Sequence, residues 1–263
     1  MDIRDHHALS TGLAPLPDGR QVQLAVVGLG DLSVESGRLG ACDPFAYLYD
    51  PVVLPVPPGR HPVFVTVADV SEAQDGSHRR EAYLSVVFSE AASTVVEPAP
   101  NEGGAPEDGL AWGVGVDAGT VGFVDADAID RCMPGDGSDW YSDVFDTGGD
   151  DGWFAQMDAD SPYPAGTANI PLPLAADGEN VVLSRSGWGD GFFPLLRTLA
   201  ADGMVTAIHI DLLVVGAPEE ETAEEETAGP DEATPVAQEP EPAAPGTSEG
   251  WLRRLFGGSG RTS

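Results

Sequence analysis

Apolar and polar residues alternate over several short stretches of this chain, and that period of two sets the expected fold class. The runs QVQLAVVGLGDLSV (21–34), PVFVTVADV (62–70) and AYLSVVFSE (82–90) are rich in β-branched and aromatic residues. Such runs predict strands that bury one face. PVPPGRHPVFV (55–65) sets a Pro-Gly turn ahead of a strand, and SEAQDGSHRR (71–80) carries Asp75-Gly76, a hairpin signal between two strands. The segment 180–215, NVVLSRSGWGDGFFPLLRTLAADGMVTAIHIDLLVV, predicts three further strands with Asp190-Gly191 and Asp202-Gly203 at the turns.

Helix signals are few. DADAIDRCM (125–133) and DPFAYLYD (43–50) each predict a turn or two of helix. From Pro134 to Pro164 the chain is rich in Asp and Gly, with Trp140, Tyr141, Phe145, Trp153 and Phe154 interleaved. That pattern predicts a long irregular loop pinned by aromatics, and long ordered loops tend to carry function. The expected architecture is a mainly β, antiparallel domain over residues 21–216, sandwich-like or a rolled sheet, with sparse short helices. Residues 1–20 are expected to form an N-terminal extension, with His6 and His7 at a frayed start.

The pattern stops near Gly216. Residues 217–250 hold almost no large apolar side chains and many glutamates, so burial there does not offset the entropy of ordering, and a disordered acidic linker is expected. In the last thirteen residues, Trp251, Leu252, Leu255 and Phe256 share one face of a notional helix while Arg253 and Arg254 project elsewhere. Too short to hold a helix alone in water, this peptide reads as a docking motif on a tether or a weak membrane-surface contact, with fold-back onto its own domain as the alternative.

Charge narrows the partners. The formal net charge is −32, and all twelve basic residues are Arg. A field of this sign repels a phosphate backbone, which argues against nucleic acid, and favours a basic protein or a cation. No signal-peptide pattern opens the chain and no apolar stretch is long enough to span a bilayer. Cytoplasmic localisation is therefore expected, with Cys42 and Cys132 as reduced thiols.

Standard catalytic motifs fail on their own spacing. Gly28-Leu29-Gly30 has Ser33 where a dinucleotide fingerprint needs its third glycine. Asp117-Ala118-Gly119-Thr120 has the form of a phosphate-binding turn, but too few residues follow for a second lobe. Asp146-Thr147-Gly148 lacks the second carboxylate of an aspartic-protease dyad. Asp125, Asp127 and Asp130 lack the glycine of a calcium loop. No zinc spacing appears among the five His and two Cys. His209, within AIHIDLL, reads as a packed strand residue rather than a base.

Four segments taken together carry a resemblance: SGRLGACDPF (36–45), VPPGRHPV (56–63), GVGVDAGTVGFVDADAI (113–129) and SGWGDGFFPLL (186–196). In this order and spacing the chain, from about residue 21 to 215, resembles a bacterial domain-of-unknown-function family, number four-two-four-one. The family implies a domain of this length but no reaction, cofactor or catalytic residue. It departs from the family pattern at Phe193, where a Tyr is common, and at Leu212, where an aromatic is usual. The resemblance points to Asp43, Asp117, Asp125 and the turn Gly187-Trp188-Gly189-Asp190-Gly191.

Gly187 and Gly189 permit a tight bend with positive φ that projects Trp188 or Asp190 into a cleft. If Asp117, Asp125 and Asp190 converge, they form a site for a divalent cation or a polar ligand, the one cofactor class this composition admits. If they do not, each caps a turn through its own backbone. The absence of a nucleophile, base or cofactor motif favours a non-enzymatic binding module with a protein partner, in one version an immunity-like protein neutralising a basic one. A carboxylate- and cation-dependent hydrolase and a structural protein regulated by its tail are the alternatives.

Overall fold

The computed structural model describes residues 3–135 and 137–216. The linker and terminal-peptide expectations for 217–250 and 251–263 lie outside the described residues. Alternation does produce strands, and they build two antiparallel sheets. The first runs β1 (Gly12–Pro15), β2 (Gln21–Val34), β5 (Gly59–Asp69), β6 (Arg79–Val87), β13 (Val205–Asp211), β12 (Gly191–Ala200), β7 (Ser93–Pro98), with β8 (Gly113–Val116) pairing the first half of β12. The second runs β10 (Thr167–Pro171), β11 (Asn180–Arg185), β9 (Thr120–Asp125), β3 (Arg38–Cys42), β4 (Val52–Pro55).

The two sheets face each other across one core. Leu29, Leu32, Val63, Val65, Leu84 and Ile210 of the first meet Leu39, Leu54, Val121, Phe123 and Val182 of the second, all buried. The second sheet is covered on its other side too. Val124, Val181 and Leu183 point away from that core into a satellite cluster with Leu48, α1 (Ala126–Cys132), a π-helical turn at Tyr141–Phe145 and α2 (Trp153–Asp158). A sheet buried on both faces reads as continuous apolar runs, and TVGFVD and NVVLSR do so.

The expected hairpins close as read. The β5–β6 turn carries Gly76 at φ 77° and the β12–β13 turn carries Gly203 at φ 84°. The helix expected at 125–133 forms as α1. Residues 43–50 differ: Pro44 and Pro51 bracket them, and they fold as turns in which the Ala46 and Tyr47 amides donate to the Asp43 carbonyl. The 134–164 stretch contains two single helical turns, with Phe45, Phe145, Trp153 and Phe154 in mutual edge and tilted contacts beneath them. Cys42 and Cys132 are buried and unbridged.

The N-terminal segment departs from the expected frayed extension. β1 pairs with the start of β2, the Leu9 amide donates to Thr66 Oγ1, and His6 is buried on the outer face of the first sheet. That face is rich in hydroxyls and rings, and His6 and Leu9 of the N-terminal segment pack against it. Among the described residues no helix is long and apolar enough to cross a membrane.

Candidate functional site

At one end of the sandwich β2, β5 and β6 run on past the cover of the second sheet. The inward face of the first sheet therefore emerges from the core and lies open, forming a cleft of about 630 Å³. Its floor consists of two cross-strand pairs, Val27 with Val65 and Ala25 with Val67, and Gln23 opposite Asp69 closes the strip. The far wall is Asp160, Pro164, Ala165 and Thr167, the chain leading into β10. Concave, mainly apolar and rimmed by a few polar groups, this has the composition of a ligand pocket.

A β-bulge decides what stands beside the floor. Val65 pairs with Leu84 and Thr66 with Tyr83, but Val67 pairs with Glu81, so one residue of β6 is skipped at Ala82. Side chains alternate across a strand, and an extra residue reverses the face of everything beyond it. Glu81 is thereby turned into the cleft beside Val67. Burial pushes its carboxyl above the usual range, opposed by its own backbone amide and by the fields of Arg185 and Arg80. No ion pair to Glu81 forms among the described residues. Arg185 bonds Asp158 at 3.0 Å and Arg80 lies 5.0 Å over the Trp188 ring.

The near wall is the β5–β6 hairpin, and it is braced. Gln74, at φ 52°, accepts from the Gln23 amide and donates to the Asp69 and Ser71 carbonyls at 2.7 and 2.9 Å. Asp69 accepts from the Ser71 hydroxyl and the Gly76 amide. The Ser71 hydroxyl, more than any other group, holds the Asp69 carboxyl below its usual range. A wall locked by its own hydrogen bonds loses little freedom when a ligand binds against it.

The residues singled out in the sequence lie elsewhere. Asp43 is fully buried and accepts from the Asp117 and Ala118 amides at 3.0 and 2.6 Å and from the Thr120 hydroxyl at 2.6 Å, organising the β8–β9 turn. Asp117, exposed on that turn, accepts from the Tyr47 hydroxyl. Asp125 caps α1 by accepting from the Asp127 amide, and it also takes the Ser36 amide and hydroxyl. Asp117 and Asp125 stand at opposite ends of β9, whose six residues span roughly 16 Å at the rise of a strand.

The three-carboxylate cation site is therefore not assembled. Asp125 is spent on two amides and the Ser36 hydroxyl, and among the described residues no group of three His, Cys, Asp or Glu is placed to hold a metal ion. The acidic loop behaves likewise: Asp143 accepts from the Ser138 hydroxyl and the Asp139 amide, and Asp151 from the Thr147 hydroxyl. The glycine turn does form as expected, with Gly187 at φ 70° and Gly189 at φ 107°. Trp188 is 58% exposed between Arg80 and His78, and neither it nor Asp190 lines the cleft.

One pairing escaped the sequence reading. Ser85 Oγ lies 2.8 Å from His209 Nδ1, and Thr198 Oγ1 lies 3.1 Å from Nε2. The two partners are 124 positions apart in sequence and meet only because β6 pairs with β13. Ser85 and His209 are both buried, so the pair has no route to substrate as it stands.

Residues 32–210 match a family described as "Protein of unknown function (DUF4241)". Neither the curated proteins nor the solved structures provide a match.

Proposed function

The chain belongs to this family of unknown function, and from the site alone we propose that it is a non-enzymatic binding module whose open cleft receives a segment of a basic protein. The observation that carries the reading is the open apolar strip of Ala25, Val27 and Val67, continuous with buried Val65 and flanked by a hairpin already locked in place. Apolar surface of this kind gains free energy when it is covered. The net charge of −32 adds long-range attraction toward a basic partner and speeds encounter more than it tightens the complex. Neutralising such a partner, as an immunity-like protein does, is one form this role takes.

Site-specific photocrosslinking in the native host tests the proposal. A photoreactive phenylalanine at Val67 should capture one partner band, and the same group at Met204, exposed in the β12–β13 turn, should not. Filling the cleft with Ala25→Trp, at a methyl already open to solvent, should abolish the band. Equal capture from both positions, or a band indifferent to the filled cleft, overturns the reading.

A further inference from the structure

Resting on that binding reading, we propose that the group the cleft receives is the side chain of a lysine or arginine, its aliphatic stem lying on the valine floor and its cation meeting the Glu81 carboxylate. Three observations converge on this chemistry. The floor is aliphatic and narrow, two cross-strand pairs long, which suits a chain of methylenes rather than a ring. At its side stands a carboxylate directly paired across the sheet with Val67, as facing side chains on one face of an antiparallel pair interact.

Among the described residues that carboxylate forms no ion pair, although the fields of Arg185 and Arg80 reach it. The nearby arginines are engaged elsewhere, Arg185 with Asp158 and Arg80 over Trp188. A half-buried carboxylate beside apolar surface is costly to leave unpaired, and a bound cation removes that cost. The remaining rim, Asp69, Asp75 and Asp160 against Arg79, has the same sign. A fatty acid or other anionic amphiphile would meet the wrong field, and an uncharged alkyl chain would leave Glu81 unpaired.

Three capped peptides of the form Ala-Val-X-Val-Ala, with X as lysine, norleucine or glutamate, separate these cases by calorimetry on the full chain at fixed ionic strength. Norleucine keeps the stem and removes the charge. Lysine should bind at least tenfold tighter than norleucine, and glutamate should not bind. Glu81→Gln should bring lysine down to the norleucine affinity while leaving norleucine unchanged, and Ala25→Trp should abolish both. Asp202→Asn, in the distant β12–β13 turn, makes the same charge change and should cost less than twofold. If Asp202→Asn weakens lysine as much as Glu81→Gln, the diffuse field and not Glu81 makes the choice, and the inference falls. If norleucine matches lysine, the inference falls while the cleft remains a binding site. If no peptide binds and Ala25→Trp changes nothing, the cleft reading falls with it.

Discussion

His6 meets His209 edge-on, with ring centroids 4.8 Å apart and planes inclined at 69°, yet the two rings are bonded in opposite ways. Among the described residues neither nitrogen of His6 has a hydrogen-bond partner, whereas both nitrogens of His209 do. Thr206 donates its hydroxyl to Thr198 Oγ1 and itself contacts Ser93 Oγ at 2.7 Å. Burial disfavours the charged ring of His209, so the imidazole is held neutral between the Ser85 and Thr198 hydroxyls. The outer face of the first sheet carries a neutral hydroxyl–imidazole chain sealed by the N-terminal segment.

That seal titrates. Burial, and then the neighbouring His7, pulls the His6 pKa from 6.5 to about 4. His209 is pulled in the same direction, by burial first and then by His6. The unfolded chain takes up these protons below pH 6.5 and the folded chain resists, so the stability held by neutral histidines is complete above pH 6.5 and lost as the pH falls toward 4. His6→Leu should fill the same space without titrating. It should remove about 1–3 kcal/mol of that acid loss, read as a flatter dependence of the urea midpoint on pH between 6.5 and 4.5. An unchanged slope would show that His6 is not the group that titrates.

Asp211 runs against this trend. Burial raises its carboxyl from 3.8 to about 6, with the Leu213 amide as a partial offset. Between pH 3.8 and 6 the folded state holds a proton that the unfolded state does not, so this group adds stability as the pH falls through 6. At neutral pH it is instead a buried charge. Asp211→Asn keeps an oxygen for the Leu213 amide and removes that charge, so a gain of about 1–3 kcal/mol is expected at pH 7.5 and none at pH 4. Paired denaturation curves at the two pH values check the sign.

Much of the fold was legible because strand alternation and Asp-Gly turns act locally. The carboxylates were a harder case: Asp43 and Asp125 stood out in the sequence, but a carboxylate that caps a turn and one that holds a cation look alike there. The N-terminal segment was misread because a paired His6-His7 looks polar, and nothing nearby signals that Tyr83 and His209 stand ready to enclose one of them. The cleft was invisible for two reasons. Ala25, Val67, Glu81 and Asp160 come from distant segments, and RREAYLSVV reads equally well with Glu81 facing out. Only the bulge at Ala82, which leaves no mark in composition, turns it inward.

Asp43 gives the sharpest contrast between a structural and a ligand-binding carboxylate. Its oxygens take three backbone amides, of Phe45, Asp117 and Ala118, and the Thr120 hydroxyl in a fully buried site. Removing a buried acceptor leaves each donor unpaired, and Asp43→Ala should cost about 3 kcal/mol or more. Asp117→Asn, exposed and still able to accept from Tyr47, should cost about 0.5 kcal/mol or less. Neither difference should change when calcium, magnesium or EDTA is added in a thermal-shift titration. A saturable cation shift lost in Asp117→Asn would restore a metal role to this turn.

Gly187 joins the second sheet to the first through a backbone that admits no side chain. Its φ is 70°, and a Cβ there would stand 2.7 Å from Val214 Cγ2 and 2.9 Å from the Glu81 carbonyl oxygen. The valine methyl can move a little, but the carbonyl belongs to β6 and cannot shift without disturbing the strand that presents Glu81. Gly187→Ala combines left-handed strain with this clash and should cost about 2–3 kcal/mol. Gly189 has a similar φ of 107° but open space around it, so Gly189→Ala should cost about 1 kcal/mol, the conformational part alone. The comparison separates strain from contact: equal losses in urea denaturation would mean that the Glu81 carbonyl is not in the way. A larger loss at Gly187, together with weaker binding at the cleft, would show that this turn also holds β6 in the register that points Glu81 inward.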